Sequence, residues 1–176
     1  MENPDTHLSA RIADAARRSP AFARFVRFGA SHLIWMMLTA AILGFWFGYA
    51  FDPRERIGVL YCLGIILLVA WGITLGLEYL VRRPRPFERS AQEPLIRMTF
   101  KTPSFPSGHA TVSFAIASTM YFFNAELFLW FLAAAVLVSL SRVAVGVHYL
   151  SDILVGALIG SMVPWGLLYL AFFVFH

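Results

Sequence analysis

The 176-residue chain is 59% hydrophobic and only 14% charged, with a mean hydropathy of +0.70. A soluble domain carries about 25% charged residues, so a surface facing mainly water is excluded. The net charge of +4 gathers beside apolar stretches, which points to anionic headgroups or a phosphorylated substrate and not to nucleic acid. The lone cysteine, Cys62, lies inside an apolar run and can form neither an intrachain disulfide nor a thiolate cluster.

Residues 8–27 come first in the chain order of elements. Leu8, Ile12, Ala15 and Ala16 recur at helical spacing, as do Phe22, Phe25 and Val26, while Arg11, Arg17, Arg18, Arg24 and Arg27 fill the other faces. A basic amphipathic helix of this kind is expected to lie in the membrane interface, broken in two at Ser19-Pro20. No apolar core or small-residue cleavage site marks it as a cleavable signal peptide.

Five apolar spans follow. Crossing the hydrocarbon core takes roughly 20 apolar residues in a helix, and backbone groups in lipid must bond within their own segment. Charge-poor runs predict spans over residues 28–51, 57–81, 107–123, 127–147 and 152–175. The expected fold is therefore all-α, a single membrane-embedded helical bundle of five transmembrane helices behind an interfacial N-terminal helix. Residues 82–106, Pro-rich and charged, form the one long connection. With five spans, that loop, the turn near residues 145–151 and the N-terminus share one side of the membrane. Arg82, Arg83, Arg85, His109, Arg142, His148 and Asp152 then converge on one face.

Such a set suits a phosphomonoester. Its oxygens need multidentate positive donors, and the planar fork of Arg bonds two at once. Arg85 and Arg142 form the expected clamp. Ser107 and Gly108 open a span, where free N–H groups and the helix dipole attract an anion; Gly108 allows close approach to the backbone. His148 is the expected nucleophile, with Asp152 at i+4 fixing its tautomer. His109 would protonate the leaving oxygen and then activate water. The arginines supply the charge, so neither a metal nor another cofactor is expected.

The segments Arg82-Arg83-Pro84-Arg85-Pro86, Pro106-Ser107-Gly108-His109 and Ser141-Arg142, five residues, His148, three residues, Asp152 resemble the signature of the type 2 phosphatidic-acid phosphatase superfamily. That superfamily includes membrane lipid phosphatases and soluble vanadium haloperoxidases. Its pattern is Lys, six residues, Arg-Pro; Pro-Ser-Gly-His; and Ser-Arg, five residues, His, three residues, Asp. The second and third elements match at every defined position. The first departs, because Glu78 stands where the pattern has Lys; Arg82, one turn on, is the candidate to bring a cation to the same face. The resemblance implies a lipid phosphatase working through a phosphohistidine. The short chain, the interfacial helix and the Arg-Pro-Arg-Pro-Phe run are most similar to bacterial undecaprenyl-diphosphatases.

Other readings remain open at this level. The substrate could be phosphatidic acid, phosphatidylglycerol phosphate or lipid A, since each needs only an apolar slot. A haloperoxidase and a non-catalytic headgroup-binding membrane protein are the competitors of other kinds. Arg83 and Arg89 are read as a headgroup belt, and Glu78 as a partner for Arg82 at i+4. Of the 14 Lys and Arg, all but Arg54 and Arg56 (14 − 2 = 12) fall on the side of the site, which the positive-inside rule would make cytoplasmic. The resemblance instead implies a site on the outer face of a bacterial plasma membrane. Oligomeric state leaves no trace in the sequence.

Overall fold

The computed structural model describes residues 4–47, 52–90, 92–98 and 102–175. Residues 48–51, the end of the expected first span, and residues 99–101 of the long connection lie outside them. Among the described residues every regular element is a helix: α1 (Pro4–Arg17), α2 (Pro20–Ser31), α3 (Leu33–Phe47), α4 (Pro53–Val81), α5 (Pro86–Arg89), α6 (Gly108–Phe123), α7 (Ala125–Ala144) and α8 (Leu150–Phe175).

Helix ends follow local chemistry. Ser19 takes extended angles and accepts a bond from Phe22 N at 3.4 Å, while Pro20 occupies the first helical position, so α1 and α2 part there. Asp52 and Glu55 form a reciprocal capping box ahead of α4. Asn124 ends α6 and caps α7, its Oδ1 accepting from Glu126 N and Leu127 N at 2.9 Å each. Arg82 ends α4 in the left-handed conformation, with φ of 48°. Gly146, at φ 82°, makes the turn that joins α7 to α8.

Among the described residues three stretches are long and apolar enough to cross a membrane: Arg54–Arg89, Ala125–Ala144 and Leu150–Ala171. A fourth exists if α2 and α3, bent by 47° at the break between them, count as one span. Five spans are not confirmed among the described residues. At 16 residues, or about 24 Å, α6 is too short. Residues 102–107 run as loop ahead of it, close to the expected start of the span at residue 107. Large side chains cover the outside: Trp130, Leu80, Leu68 and Tyr61 are all at least 70% exposed. That surface suits lipid, not water, and the chain is an integral membrane protein.

Helix α6 sits at the centre, against α8, α7, α4 and α3. Its side chains from Ala110 to Met120 are almost all buried. Without a hydrophobic force between helices in lipid, close approach depends on small residues. Gly156 and Gly160 of α8 provide it. A methyl group on Gly156 would lie 2.6 Å from the Ser107 carbonyl oxygen, and one on Gly160 would lie 2.2 Å from that of Thr111.

The N-terminal helices do not lie free in the interface. Ala16, Val26 and Ala30 are buried against Ala144, Val145 and Val147 at the foot of α7. Gly29 packs against Ser141 so tightly that a methyl group there would meet its hydroxyl at 2.3 Å. The basic faces read as membrane-surface faces therefore belong to helices that fold back over the connection between α7 and α8.

Gly160→Ala is expected to cost at least about 2 kcal/mol, because backbone on α6 cannot yield as a side chain would. Gly76→Ala, with nothing within 4 Å of its added methyl, should hold or raise Tm. Thermal unfolding of both variants in one detergent checks the contrast.

Candidate active site

The connection into α8 carries the first half of the site. Asp152, fully buried, accepts from Tyr149 N through Oδ2 at 2.8 Å, which satisfies a free amide at the helix start. Its own carbonyl accepts from Ser107 N at 3.1 Å, joining the beginning of α8 to the beginning of α6. An unpaired carboxylate at this depth would cost several kcal/mol. Arg83 pairs with it, Nη1 to Oδ1 at 2.7 Å.

His148 lies just ahead of α8 and is buried. Its Nδ1 stands 2.7 Å from the Ser104 carbonyl oxygen. A carbonyl can only accept, so Nδ1 carries the proton and Nε2 keeps its lone pair. Asp152 Oδ2 is more distant from Nδ1, at 3.6 Å. Asp152 was expected to fix the tautomer; the Ser104 carbonyl holds the closer position, and the carboxylate supplies charge behind it. Nε2 faces Arg85 Nη1 at 3.3 Å. Burial first, then the positive charges of Arg142 and Arg85, push the imidazole well below its ordinary value of 6.5, against a smaller upward effect of the Ser104 bond. The ring is neutral at neutral pH.

Arg85 is held by the long connection. Nε donates to the Thr102 carbonyl at 2.8 Å, Nη1 to that of Val147 at 2.9 Å, and Nη2 to Thr102 Oγ1 at 2.9 Å and the Pro103 carbonyl at 3.2 Å. A guanidinium has five N–H donors, and four of them are engaged with the loop and turn. The fifth is the one facing His148, and it alone can pass to an incoming oxygen without breaking a backbone bond. Arg142 is freer. Nη1 donates to the Ala30 carbonyl at 3.0 Å, while its buried Nε has no partner.

Ser107 occupies the cap position of α6, but its hydroxyl caps nothing and is buried without a partner. Orphaned buried donors cost about 1–3 kcal/mol each. Two of them, with the open first-turn amides of α6, fit an anion that spreads charge over several oxygens. Gly108 has a different constraint from the one expected. A methyl group there would meet the Trp71 ring at 3.0 Å, so its missing side chain accommodates an indole.

His109, on the first turn of α6, lies within electrostatic reach of the positive Arg142 and Arg85. It also lines an apolar cavity of about 460 Å³ with Ile34, Trp35, Leu68, Trp71 and Gly108. Trp35 and Leu68 are 66% and 74% exposed, so the cavity opens sideways through the lipid-facing surface. A second cavity, of about 410 Å³, runs beneath α1 to His148 and Tyr149, lined by His7, Arg17, Arg89 and Gln92.

The structure thus gathers His148, Asp152, Arg85, Ser107, Gly108, His109 and Arg142 into one cluster. Arg82 is not among them. Its Nε donates to the Tyr79 carbonyl at 3.0 Å and its guanidinium stacks 4.8 Å over the Tyr79 ring. Glu78 instead interacts with Arg85. Arg83 was read as a headgroup anchor and is in fact the partner of Asp152. Ser104 and Asp5, which complete that side, were missed; a loop carbonyl and a residue of a separate helix leave no motif. No group of three or more His, Cys, Asp or Glu among the described residues is placed to hold a metal ion.

Relatives share this frame. A family model described as the PAP2 superfamily matches residues 57–175. The undecaprenyl-diphosphatase of Sulfolobus acidocaldarius is 30% identical over 134 residues, which is 75% of this chain and 61% of that protein. The chain thus spans less than two thirds of that relative's length. The decaprenylphosphoryl-5-phosphoribose phosphatase of Mycobacterium tuberculosis is 34% identical over 139 residues, 77% of this chain and 71% of that one. Among solved structures, Aquifex aeolicus LpxE superposes with a TM-score of 0.68 at 23% identity, covering 90% of each chain, which shows the shared fold. With more than half its length matched, including every segment that builds the cluster around His148, the chain belongs to the PAP2 superfamily.

Proposed function

We propose that the whole chain acts as one membrane-embedded phosphatase domain that hydrolyses a lipid phosphate or diphosphate through a phosphohistidine. The observation that carries this reading is a neutral, tautomer-fixed imidazole whose Nε2 faces an Arg85 guanidinium donor, with Arg142 Nε and the Ser107 hydroxyl buried without a partner. The phosphoryl oxygens take up Arg142, Ser107, the α6 amides and the one donor that Arg85 can release. Nε2 attacks phosphorus as the bond to the leaving oxygen breaks, and His109 gives that oxygen a proton. Water, deprotonated by His109, then attacks the phosphohistidine, releasing phosphate and restoring Nε2. Positive charge in a site of low dielectric strengthens most where the transferring group needs it, so the arginines can serve without a metal.

The lipid end fits the sideways apolar cavity beside His109. Undecaprenyl diphosphate, cleaved to undecaprenyl phosphate, is the preferred substrate because both sequence relatives are named for polyprenyl-linked phosphates. Phosphatidic acid, phosphatidylglycerol phosphate and lipid A are the alternatives. A bacterial plasma membrane with the site on the outer side is the proposed location.

A panel of these lipids in detergent should release phosphate fastest from the isoprenoid diphosphate; release from none would end the reading. His148→Ala should lower kcat at least about a thousandfold, whereas Arg82→Ala should stay within about threefold of the parent, since its side chain is spent on Tyr79. A dead Arg82→Ala would return that residue to the phosphate site.

The acid side follows from the depressed His148 value. A group held below 6.5 stays neutral as pH falls through 6.5 and protonates only at lower pH. Ring NMR signals of His148 in the free protein should therefore keep the neutral signature below pH 6.5, separately from the ionisation of the phosphate near pH 6. Half-protonation at or above 6.5 would contradict the resting state. For sidedness, Gln92→Cys in a Cys62→Ser background should react with an impermeant thiol reagent on intact cells; labelling only after lysis would place the site in the cytoplasm.

A further inference from the structure

We propose that Asp5, on α1, is a positioning residue that holds Asp152 behind His148 by sharing the guanidinium of Arg83. The inference rests on the reading of His148 as nucleophile.

Arg83 stands between two carboxylates. Nη2 donates to Asp5 Oδ2 at 2.7 Å and Nη1 to Asp152 Oδ1 at 2.7 Å, the short distances of charge-assisted bonds. Nη1 also lies 2.7 Å from Ser151 Oγ. Ser151 returns to Asp5 twice, its amide donating to Oδ1 at 3.1 Å and its hydroxyl to Oδ2 at 2.5 Å. The Arg83 guanidinium lies 3.9 Å over the Tyr149 ring, so its plane is fixed from a second direction. One closed set of contacts runs from α1 through Arg83 to the residue beside Nδ1 of His148.

The second carboxylate has an electrostatic consequence. With Asp152 as its single partner, Arg83 would cancel the charge behind the imidazole and leave His148 facing the positive Arg85 and Arg142. Asp5 makes the trio net negative, so Asp152 keeps negative potential at Nδ1 while its rotamer stays locked. Burial raises the Asp5 carboxyl, but the Ser151 and Arg83 bonds outweigh it and hold the group below its usual value, so it is charged at neutral pH. The geometry also separates this duty from simple docking of α1. Ser9 Oγ accepts from Leu150 N at 2.9 Å at the same junction without touching Arg83.

Asp5→Asn keeps an acceptor for the Ser151 amide and removes the charge that shares Arg83. In detergent, with the proposed lipid diphosphate, it should lower kcat about tenfold with KM within about twofold, because the phosphate-binding groups are untouched. Asp5→Glu should recover most of that loss. The double variant with Arg83→Gln should be little slower than Arg83→Gln alone, since both changes act through one linkage. Ser9→Ala should lower Tm and leave kcat unchanged. Should Asp5→Asn fail to fold, Arg83→Lys takes its place with the same expectations, keeping the charge and losing the fork that joins two carboxylates. A parent-like kcat in Asp5→Asn, a rise in KM alone, multiplying losses in the double variant, or an equal kcat loss in Ser9→Ala would each overturn the inference. In all of these His148→Ala must remain inactive; turnover in that variant would instead overturn the nucleophile beneath it.

Discussion

At Gly156 and Gly160, α8 runs so close to α6 that added methyl groups would press on the carbonyl oxygens of Ser107 and Thr111, and this backbone contact sets the distances on which the site depends. In lipid, helices gain nothing from hiding apolar surface, so packing and hydrogen bonds between backbones decide how close they come. The approach places Ser107 N on the Asp152 carbonyl and brings the start of α6 beside the start of α8. His109 and Ser107 arrive from one helix, Asp152 from the other, and His148 from the turn between α7 and α8. Thr74 adds a polar strut from α4, its hydroxyl 3.1 Å from that of Thr111. Larger residues at the two glycines would separate the groups before disturbing any of them chemically.

Charge is distributed by side around the imidazole. Arg85 lies toward Nε2, while Asp152 and the Ser104 carbonyl lie toward Nδ1. Each charge is expensive at this burial, and each is met by named partners except where a phosphoryl oxygen is expected. The unfilled donors on Arg142 and Ser107 lower stability in the empty state. An oxyanion that satisfies them stabilises the fold as it binds, so affinity and stability are linked at this point.

Much of this was legible from residues alone. Apolar run lengths located the helices, and the Pro-Ser-Gly-His and Ser-Arg…His…Asp segments located the cluster, because burying ionisable groups in such a chain has few purposes other than chemistry. Two features were hidden for physical reasons. The contacts of Arg82 with Tyr79 and of Arg83 with Asp152 were not foreseen, since their direction is set by one backbone angle and not by composition. The glycine pair in α8 was visible as Gly-Ala-Leu-Ile-Gly, spaced for a close helix crossing, and went unread amid an apolar run that already looked like a span.

That backbone angle has a wider effect. In an unbroken helix, residues 82, 83 and 85 would fan out along a single cylinder and serve one neighbourhood. The left-handed step at Arg82 instead sends nearby cations to separate destinations: one folds back on the Tyr79 ring, one crosses to the carboxylates, and one lies beside His148. A chemically uniform stretch of arginines is thereby divided among three separate neighbourhoods, and the division is written in the main chain rather than in the side chains themselves.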